Sequence, residues 1–416
     1  MEQIRSGALI DNDEEPPSSE CSQPRATDVY RFYSNKFTTE EHPKNYRTIA
    51  FRKKFFPSVS NGKWNDYHWQ LANRITTLEQ IKKYLVLTEE ERKALEDNES
   101  SFPFSITPYY LSLLDLKDQE SELRKTVIPT INEAIQSKGE AEDPLNEDGT
   151  SPVPGICHRY PDRVLFLTTS FCSTYCRYCT RSRLVGGHSQ KMEDQWENAI
   201  DYIRKNTQIR DVIISGGDPL TLCDNKIEYL LSELTSISHV QMVRIGSKVP
   251  MVLPQRITPN LIRIFKKYKP LYLSIHCTHP DELTEESAKA CNAIADAGVV
   301  MGSQTVLLKG VNDDVQTLTD LFQGLLKIRV KPYYLFQCDP IIGSAHFRTT
   351  IEKGKSLIFG IRGFTSGYAV PQYVIDTPGG GGKVPILPQY EVKQDDEYLY
   401  LRNYENKTFR YPNERK

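Results

Sequence analysis

From Val164 onward the chain alternates short apolar, β-branched runs with stretches whose apolar positions recur every three or four residues. RVLFLTT, DVIISGG, VQMVRIG, LYLSIHC, VVMGSQTVLL and KPYYLFQCD read as strands, and DQWENAIDYIRKN, KIEYLLSEL and TPNLIRIFKKY as helices between them. Such β-then-α units, six in all, call for a parallel sheet covered by helices, either doubly wound or a partial barrel, and periodicity alone does not choose. Polar residues gather at the strands' C-terminal ends: cysteines after RVLFLTT, Asp218 after DVIISGG, His276 in LYLSIHC and Asp339 closing KPYYLFQCD. Both architectures place their ligands at that end.

The region before these units follows a different pattern. Residues 1–40 are polar and rich in Pro, Ser and Glu, without periodicity, which reads as a disordered tail. From Trp64 the positions Trp69, Leu71, Ile75, Leu78, Ile81 and Leu85 approximate helical spacing, and TTLEQ and LTEEER each carry a capping-box signature. Residues 60–140 are therefore expected to be mostly helical. The Pro/Gly-punctuated stretch EDPLNEDGTSPVPG (142–155) reads as a connector, with a domain boundary near 155. The expected plan is a tail (1–40), a helical region with its connector (41–155), an α/β domain (156–383) and a short C-terminal extension (384–416).

Composition narrows the partner. The 416 residues carry 52 basic against 54 acidic side chains, a balance that gives no field to attract nucleic acid or an anionic membrane. A small molecule is the better default. No window reaches eighteen consecutive apolar residues, and MEQIRSGALIDNDEEPPSSE lacks the apolar core of a secretory signal, so a cytoplasmic location without membrane attachment is expected. Nine cysteines are spread thinly except for Cys172, Cys176 and Cys179, which suits reduced thiols and a metal better than a disulfide framework. Cys223 and Cys291 read as ordinary buried cysteines.

The triplet stands in FCSTYCRYCTRSR (171–183) at CxxxCxxC spacing. Closed structural zinc sites and electron-carrying iron–sulfur clusters both take four protein ligands, so three thiolates leave one metal position open. A zinc completed by Cys157 or His188 is the alternative. ISGGD (214–218) ends the second strand with two glycines, which permit close backbone approach, and a carboxylate. DTPGGGGKVP (376–385) is not a nucleotide-binding loop, because Val384 replaces the required Ser/Thr and no helix follows. A glycine run ending in Lys383 can present an amine to a carbonyl cofactor, or be an ordinary turn.

With Tyr178 just before its third cysteine, the triplet resembles the radical S-adenosylmethionine (SAM) superfamily. SPVPGxxHRYPDRVLFL (151–167), PQRITP, TSGYAVP and PGGGGK extend the resemblance to the lysine 2,3-aminomutase family, a pyridoxal-phosphate-dependent branch, from about Trp64 to about Lys383. The resemblance implies a partial (β/α)6 TIM-like barrel of radical SAM type with an N-terminal helical extension. It implies a 4Fe-4S cluster on Cys172, Cys176 and Cys179, whose open iron chelates SAM and cleaves it to a 5′-deoxyadenosyl radical. Ser215, Gly216, Gly217, Asp218, His276 and Gln304 then match SAM-contacting positions. Lys383 carries pyridoxal phosphate as a Schiff base, with Arg159 and Tyr160 contacting that cofactor. Arg181 matches the residue that clamps the substrate carboxylate, and Asp339 and Asp376 match the pair that selects the side chain.

Two carboxylates converging on one point favour a cationic amino acid, since unpaired buried acids are costly. Glutamate-acting relatives place Lys and Asn at these two positions. The implied activity is a radical 1,2-amino shift on lysine, with glutamate or arginine as alternative substrates, and a lysine on a protein or a non-catalytic iron–sulfur or zinc protein as rival readings. An external electron donor of flavodoxin or ferredoxin type and a homo-oligomer accompany it. Relatives of the clostridial type carry a Cys after GVND and a cysteine-rich C-terminal zinc segment, whereas this chain has Asp314 there and no cysteine after Cys338. That argues against zinc and leaves the mode of subunit assembly open. Phe336 replaces a tyrosine of those relatives.

Overall fold

The apolar runs assemble into a nine-stranded sheet in the computed structural model, which describes residues 45–96, 102–186 and 192–413. Its strands are β1 (Ile156–Tyr160), β2 (Arg163–Thr169), β3 (Asp211–Gly216), β4 (Met242–Ser247), β5 (Leu271–His276), β6 (Val300–Leu307), β7 (Lys331–Gln337), β8 (Gln372–Thr377) and β9 (Gly382–Pro385). They lie side by side in chain order. From β2 to β8 every neighbouring pair is parallel, while β1 and β9 run antiparallel at the two edges. A doubly wound sheet reverses its strand order at a switch point, and this order never reverses. It is therefore the open, barrel-like alternative, as the resemblance implied.

Six helices form the crossovers: Trp196–Lys205, Asp224–Ser236, Pro259–Lys267, Glu285–Asp296, Val315–Lys327 and Ile351–Ile361. Their logic is visible in Val315–Lys327. Leu318, Leu321, Phe322 and Leu325 recur at helical spacing and are buried, each contributing about 1.5–3 kcal/mol. Asp314 starts the helix by accepting the Thr317 N–H at 2.9 Å, so the residue that replaces a relative's cysteine is an N-cap.

The N-terminal segment corrects two expectations. It is helical only in short pieces, such as Asn61–Trp64, Tyr67–Ala72, Leu78–Ile81 and Pro108–Leu111, because caps and prolines restart the chain every few residues. Both sequence capping boxes are present, Thr77 with Gln80 and Thr88 with Glu91. Nor does the chain divide near 155: residues Lys44–Pro388 form one compact unit. Phe51, Trp64, Ile81 and Tyr110 share a core with Phe166, Ile214 and Leu335 of the sheet. Buried hydrogen bonds cross the expected boundary, from Tyr110 Oη to Glu282 at 2.7 Å and from Thr107 Oγ1 to the Val252 carbonyl at 2.8 Å.

Residues from Gln389 onward belong to a second unit. There β10 (Glu391–Gln394), β11 (Tyr398–Arg402) and β12 (Thr408–Pro412) form an antiparallel sheet. The expected tail (1–40) lies outside the described residues, as does His188. Cys291 is buried as expected, but Cys223 is exposed, because it stands at the N-cap of Asp224–Ser236. No helix among the described residues is long and apolar enough to cross a membrane.

The two glycines after β3 have a structural cause. The Gly217 N–H donates to the Thr169 carbonyl at 2.5 Å and the Asp218 N–H to the Phe171 carbonyl at 2.9 Å, pressing this corner against the start of the cysteine loop. A Cβ on Gly217 would meet the Phe171 carbonyl oxygen at 2.5 Å, and one on Gly216, at φ 121°, would collide with Thr169. Gly217→Ala is expected to cost about 1–3 kcal/mol in denaturant unfolding of the cofactor-free protein. An unchanged midpoint would show that the corner yields.

Candidate functional site

The loop after β2 carries Cys172, Cys176 and Cys179 as free, half-buried thiols. It is held from outside the sheet. The Tyr175 and Arg177 N–H groups donate to the Ser105 and Thr126 carbonyls, and Arg74 donates to the Cys172 carbonyl at 3.1 Å. The Arg177 guanidinium joins Glu133 and the Phe102 and Pro103 carbonyls. The N-terminal segment thus fixes the loop's path.

Burial pushes all three thiols up, Cys179 to about 11, and Cys176 adds to the rise of both Cys172 and Cys179. No group of three or more His, Cys, Asp or Glu among the described residues closes around a single ion. Three neighbouring thiols in low dielectric fit a multi-iron cluster, whose positive charge would replace the protons that burial otherwise retains. Cys157, on β1, is buried, and its thiol is pushed up to about 12.

Beside the loop stand the ends of β3 to β6. Ser215 is the penultimate residue of β3, and its carbonyl accepts from Thr168 Oγ1 at 3.1 Å. Asp218 is buried and accepts four hydrogen bonds, from Ser247 Oγ (2.7 Å) and the N–H groups of Leu220, Lys248 and Val249. Its carboxylate is saturated by the framework. His276 and Gln304 are register partners on β5 and β6, so their side chains share a face. Burial, with Lys248 and Arg181 nearby, lowers His276 to about 4 and leaves a neutral imidazole at neutral pH.

Lys248 was not singled out in the sequence. Its ammonium pairs with fully buried Glu282 at 2.5 Å and lowers the Cys176 thiol, partly countering burial. Burial alone would raise Glu282, but Lys248 and four further donors hold it down to about 2. Lys248 follows β4, so the rule that drew attention to Asp218 and Asp339 would have found it.

The glycine run is a hairpin rather than a loose tether. Gly379, Gly380 and Gly382 all have positive φ, and the turn brings Lys383 on β9 opposite Asp376 on β8. Lys383 Nζ donates to Asp376 Oδ2 at 2.6 Å, and the Lys383 N–H donates to Tyr160 Oη at 2.8 Å. The other Asp376 oxygen accepts from Arg159 Nη1 at 3.0 Å. Arg159 Nε is buried without a partner, an orphan donor that fits a phosphate. Phe336 lies beneath the amine, its ring centre 5.5 Å from Lys383 Nζ. Asp339 accepts from Thr180 Oγ1 at 2.6 Å, and burial raises it to about 6, with Asp376 adding to the rise and Lys383 and Arg181 opposing it. The structure therefore brings Arg159, Tyr160, Lys383, Asp376 and Asp339 into one electrostatic neighbourhood.

Arg181 faces Glu147, which sequence reasoning assigned to a connector. Its Nε lies 3.0 Å from both Glu147 oxygens and its Nη2 2.7 Å from one. Burial works against the Arg181 charge, and Glu147 more than offsets it. The connector is part of the site: its Leu145 carbonyl accepts from Arg159, and its Pro144 carbonyl accepts the Gly379 N–H at 2.9 Å. Nothing in the polar, Pro-rich spacing of 142–155 separated it from a solvated linker.

A family model described as "Lysine-2,3-aminomutase" matches residues 358–416, and one described as "Radical SAM superfamily" matches residues 166–322. L-lysine 2,3-aminomutase of Clostridium subterminale is 51% identical over 358 residues, covering 86% of each chain. Its namesake in Fusobacterium nucleatum is 51% identical over 359 residues, covering 86% of this chain and 84% of that one. Glutamate 2,3-aminomutase of Clostridioides difficile is 43% identical over 370 residues, covering 88% and 87%.

Anaerobic reconstitution with iron and sulfide should load about four irons per chain. Cys176→Ala should lose most of that iron, while Cys157→Ala should retain it. Iron and labile-sulfide analysis decides, and the reverse outcome would move the metal to β1.

Proposed function

The chain belongs to the lysine 2,3-aminomutase family of the radical SAM superfamily, and from that membership we propose that it interconverts L-lysine and β-lysine by moving an amino group between C2 and C3. The observation that carries the substrate is at Asp376, which accepts an ε-ammonium, that of Lys383, at 2.6 Å, with Asp339 close enough to feel its charge. A lysine side chain ends in the same group. A glutamate side chain would meet two acids instead.

Each residue then has a task its surroundings support. Arg181 binds the substrate carboxylate with the N–H groups that Glu147 leaves free, and Asp339 with Asp376 receives the distal ammonium, fixing both ends of the amino acid. Lys383 would offer the amine to hold pyridoxal phosphate, while the orphan Nε of Arg159 suits its phosphate and Tyr160 anchors the Lys383 backbone. Cys172, Cys176 and Cys179 would ligate the cluster, with neutral His276 and Gln304 facing the nucleoside cosubstrate. Ser215, Gly216 and Gly217 offer backbone groups to it, whereas Asp218 supports this corner from behind through its four bonds. When bound, the cluster with SAM supplies a radical that removes and returns one substrate hydrogen, and pyridoxal phosphate supplies the conjugated system that carries the migrating nitrogen. The chain's part is orientation and exclusion of water. An outside one-electron donor of flavodoxin or ferredoxin type, to reduce the cluster, and a homo-oligomeric assembly belong to the same proposal.

Purified enzyme, reduced and free of oxygen, should turn over lysine in preference to arginine and glutamate, and exclusive turnover of glutamate would sink the assignment of the paired acids. Asp339→Asn should lower kcat/KM for lysine by about thirtyfold or more, the equivalent of about 2 kcal/mol. The sign of the pH effect follows from a carboxyl raised to about 6: the charged, cation-binding form prevails above that pH and is lost below it. The acid limb of kcat/KM should therefore fall near pH 6 and move or vanish in Asp339→Asn. An unaltered limb would assign it to another group.

A further inference from the structure

We propose that Glu147 is a positioning residue that sets the orientation of Arg181 for the substrate carboxylate and stays on it while substrate is bound. The inference rests on the reading of Arg181 as the carboxylate site. A guanidinium has five N–H donors arranged as a side edge, Nε with one Nη2 hydrogen, and an end edge shared by Nη1 and Nη2. Glu147 occupies the side edge at 2.7–3.0 Å. Arg181 Nη1 makes no hydrogen bond among the described residues, so the end edge remains for a second carboxylate in the fork geometry such pairs prefer.

Three observations show that Glu147 is held for this task. It is only 4% exposed, so its charge is not placed there for solvent. Asp143 shapes the turn that presents it, accepting the Glu147 and Asp148 N–H groups at 3.0 and 2.9 Å. On its far side Arg183 lies 3.7 Å away and also pairs with Asp143 at 3.3 Å. With Arg183 present, a substrate carboxylate can join Arg181 without making Glu147 an uncompensated neighbour. The same turn touches the opposite end of the site, through the Leu145 carbonyl to Arg159 and the Pro144 carbonyl to Gly379. One short segment thus fixes the distance between the carboxylate end and the amine end of the bound amino acid.

The test compares lysine with 1,5-diaminopentane, which is lysine without its carboxylate. Both are titrated into cofactor-loaded enzyme, and half-saturation is read from the change in pyridoxal absorbance. Glu147→Gln, which keeps the volume but removes the charge, should raise the half-saturation for lysine about tenfold or more and leave that for the diamine unchanged. The KM for lysine should rise with little change in kcat. Equal shifts for both ligands, or a shift for neither, would overturn the proposal. Glu147→Ala should repeat the Gln result, but if it fails to retain iron and pyridoxal the Gln variant alone decides. Arg181→Met separates the two levels: if it too fails to distinguish lysine from the diamine, the carboxylate site itself is misassigned. If it distinguishes them and Glu147→Gln does not, only the role of Glu147 falls.

Discussion

A cationic loop at the mouth of a barrel must be neutralised by carboxylates that the barrel itself does not supply. Arg177, Arg181 and Arg183 follow one another through the cysteine loop, and their partners Glu133, Glu147, Asp143 and Asp148 all come from one segment before the first strand. Removing one member of a buried ion pair leaves a charge in low dielectric at a cost of about 3–5 kcal/mol. Residues 133–148 are thereby tied to the loop by electrostatics, as the N-terminal core is tied to the sheet by apolar burial. The same segment pairs Glu140 with Arg348 at 2.7 Å beyond β7 and bridges Ala141 to Ile341. Loop, connector and far rim therefore form one framework around the site.

This dependence explains what the sequence disclosed and what it hid. Strands, crossover helices and the polar residues at the strand ends were legible because alternation and helical spacing are local properties. Choosing a barrel over a doubly wound sheet was not legible, since strand order is decided by packing between units and only the resemblance supplied it. The N-terminal helices were overestimated in length because apolar spacing does not register how often a Thr, Ser or Pro restarts the chain. Glu147 was hidden for a related reason: a carboxylate amid Pro, Asn, Asp and Gly looks like a solvated linker until an arginine thirty-four positions later folds onto it. Cys223 errs the other way, a thiol between Leu222 and Asp224 that the helix start turns outward.

The acids near the site show how environment divides one functional group into different tasks. Burial raises both Asp218 and Asp339, but Asp218 receives four donors and is committed to the framework, whereas Asp339 receives the Thr180 hydroxyl and is pushed up to about 6. Glu282 is as buried as either, yet Lys248 and its other donors hold it ionised. A buried carboxylate short of donors favours a cation where a saturated one is indifferent. That difference in donors is what the proposed role of Asp339 rests on.

The hairpin that sets Lys383 against Asp376 has a consequence for timing. While the chain's own amine rests on that carboxylate, a foreign amine finds the seat taken. If Lys383 holds the cofactor as proposed, drawing it off leaves the acid one cation short, beside a second acid already reluctant to ionise. Selectivity for a diamino acid would then not pre-exist in the empty protein: it would come into being with cofactor loading, so that the wrong order of arrival is disfavoured by charge alone.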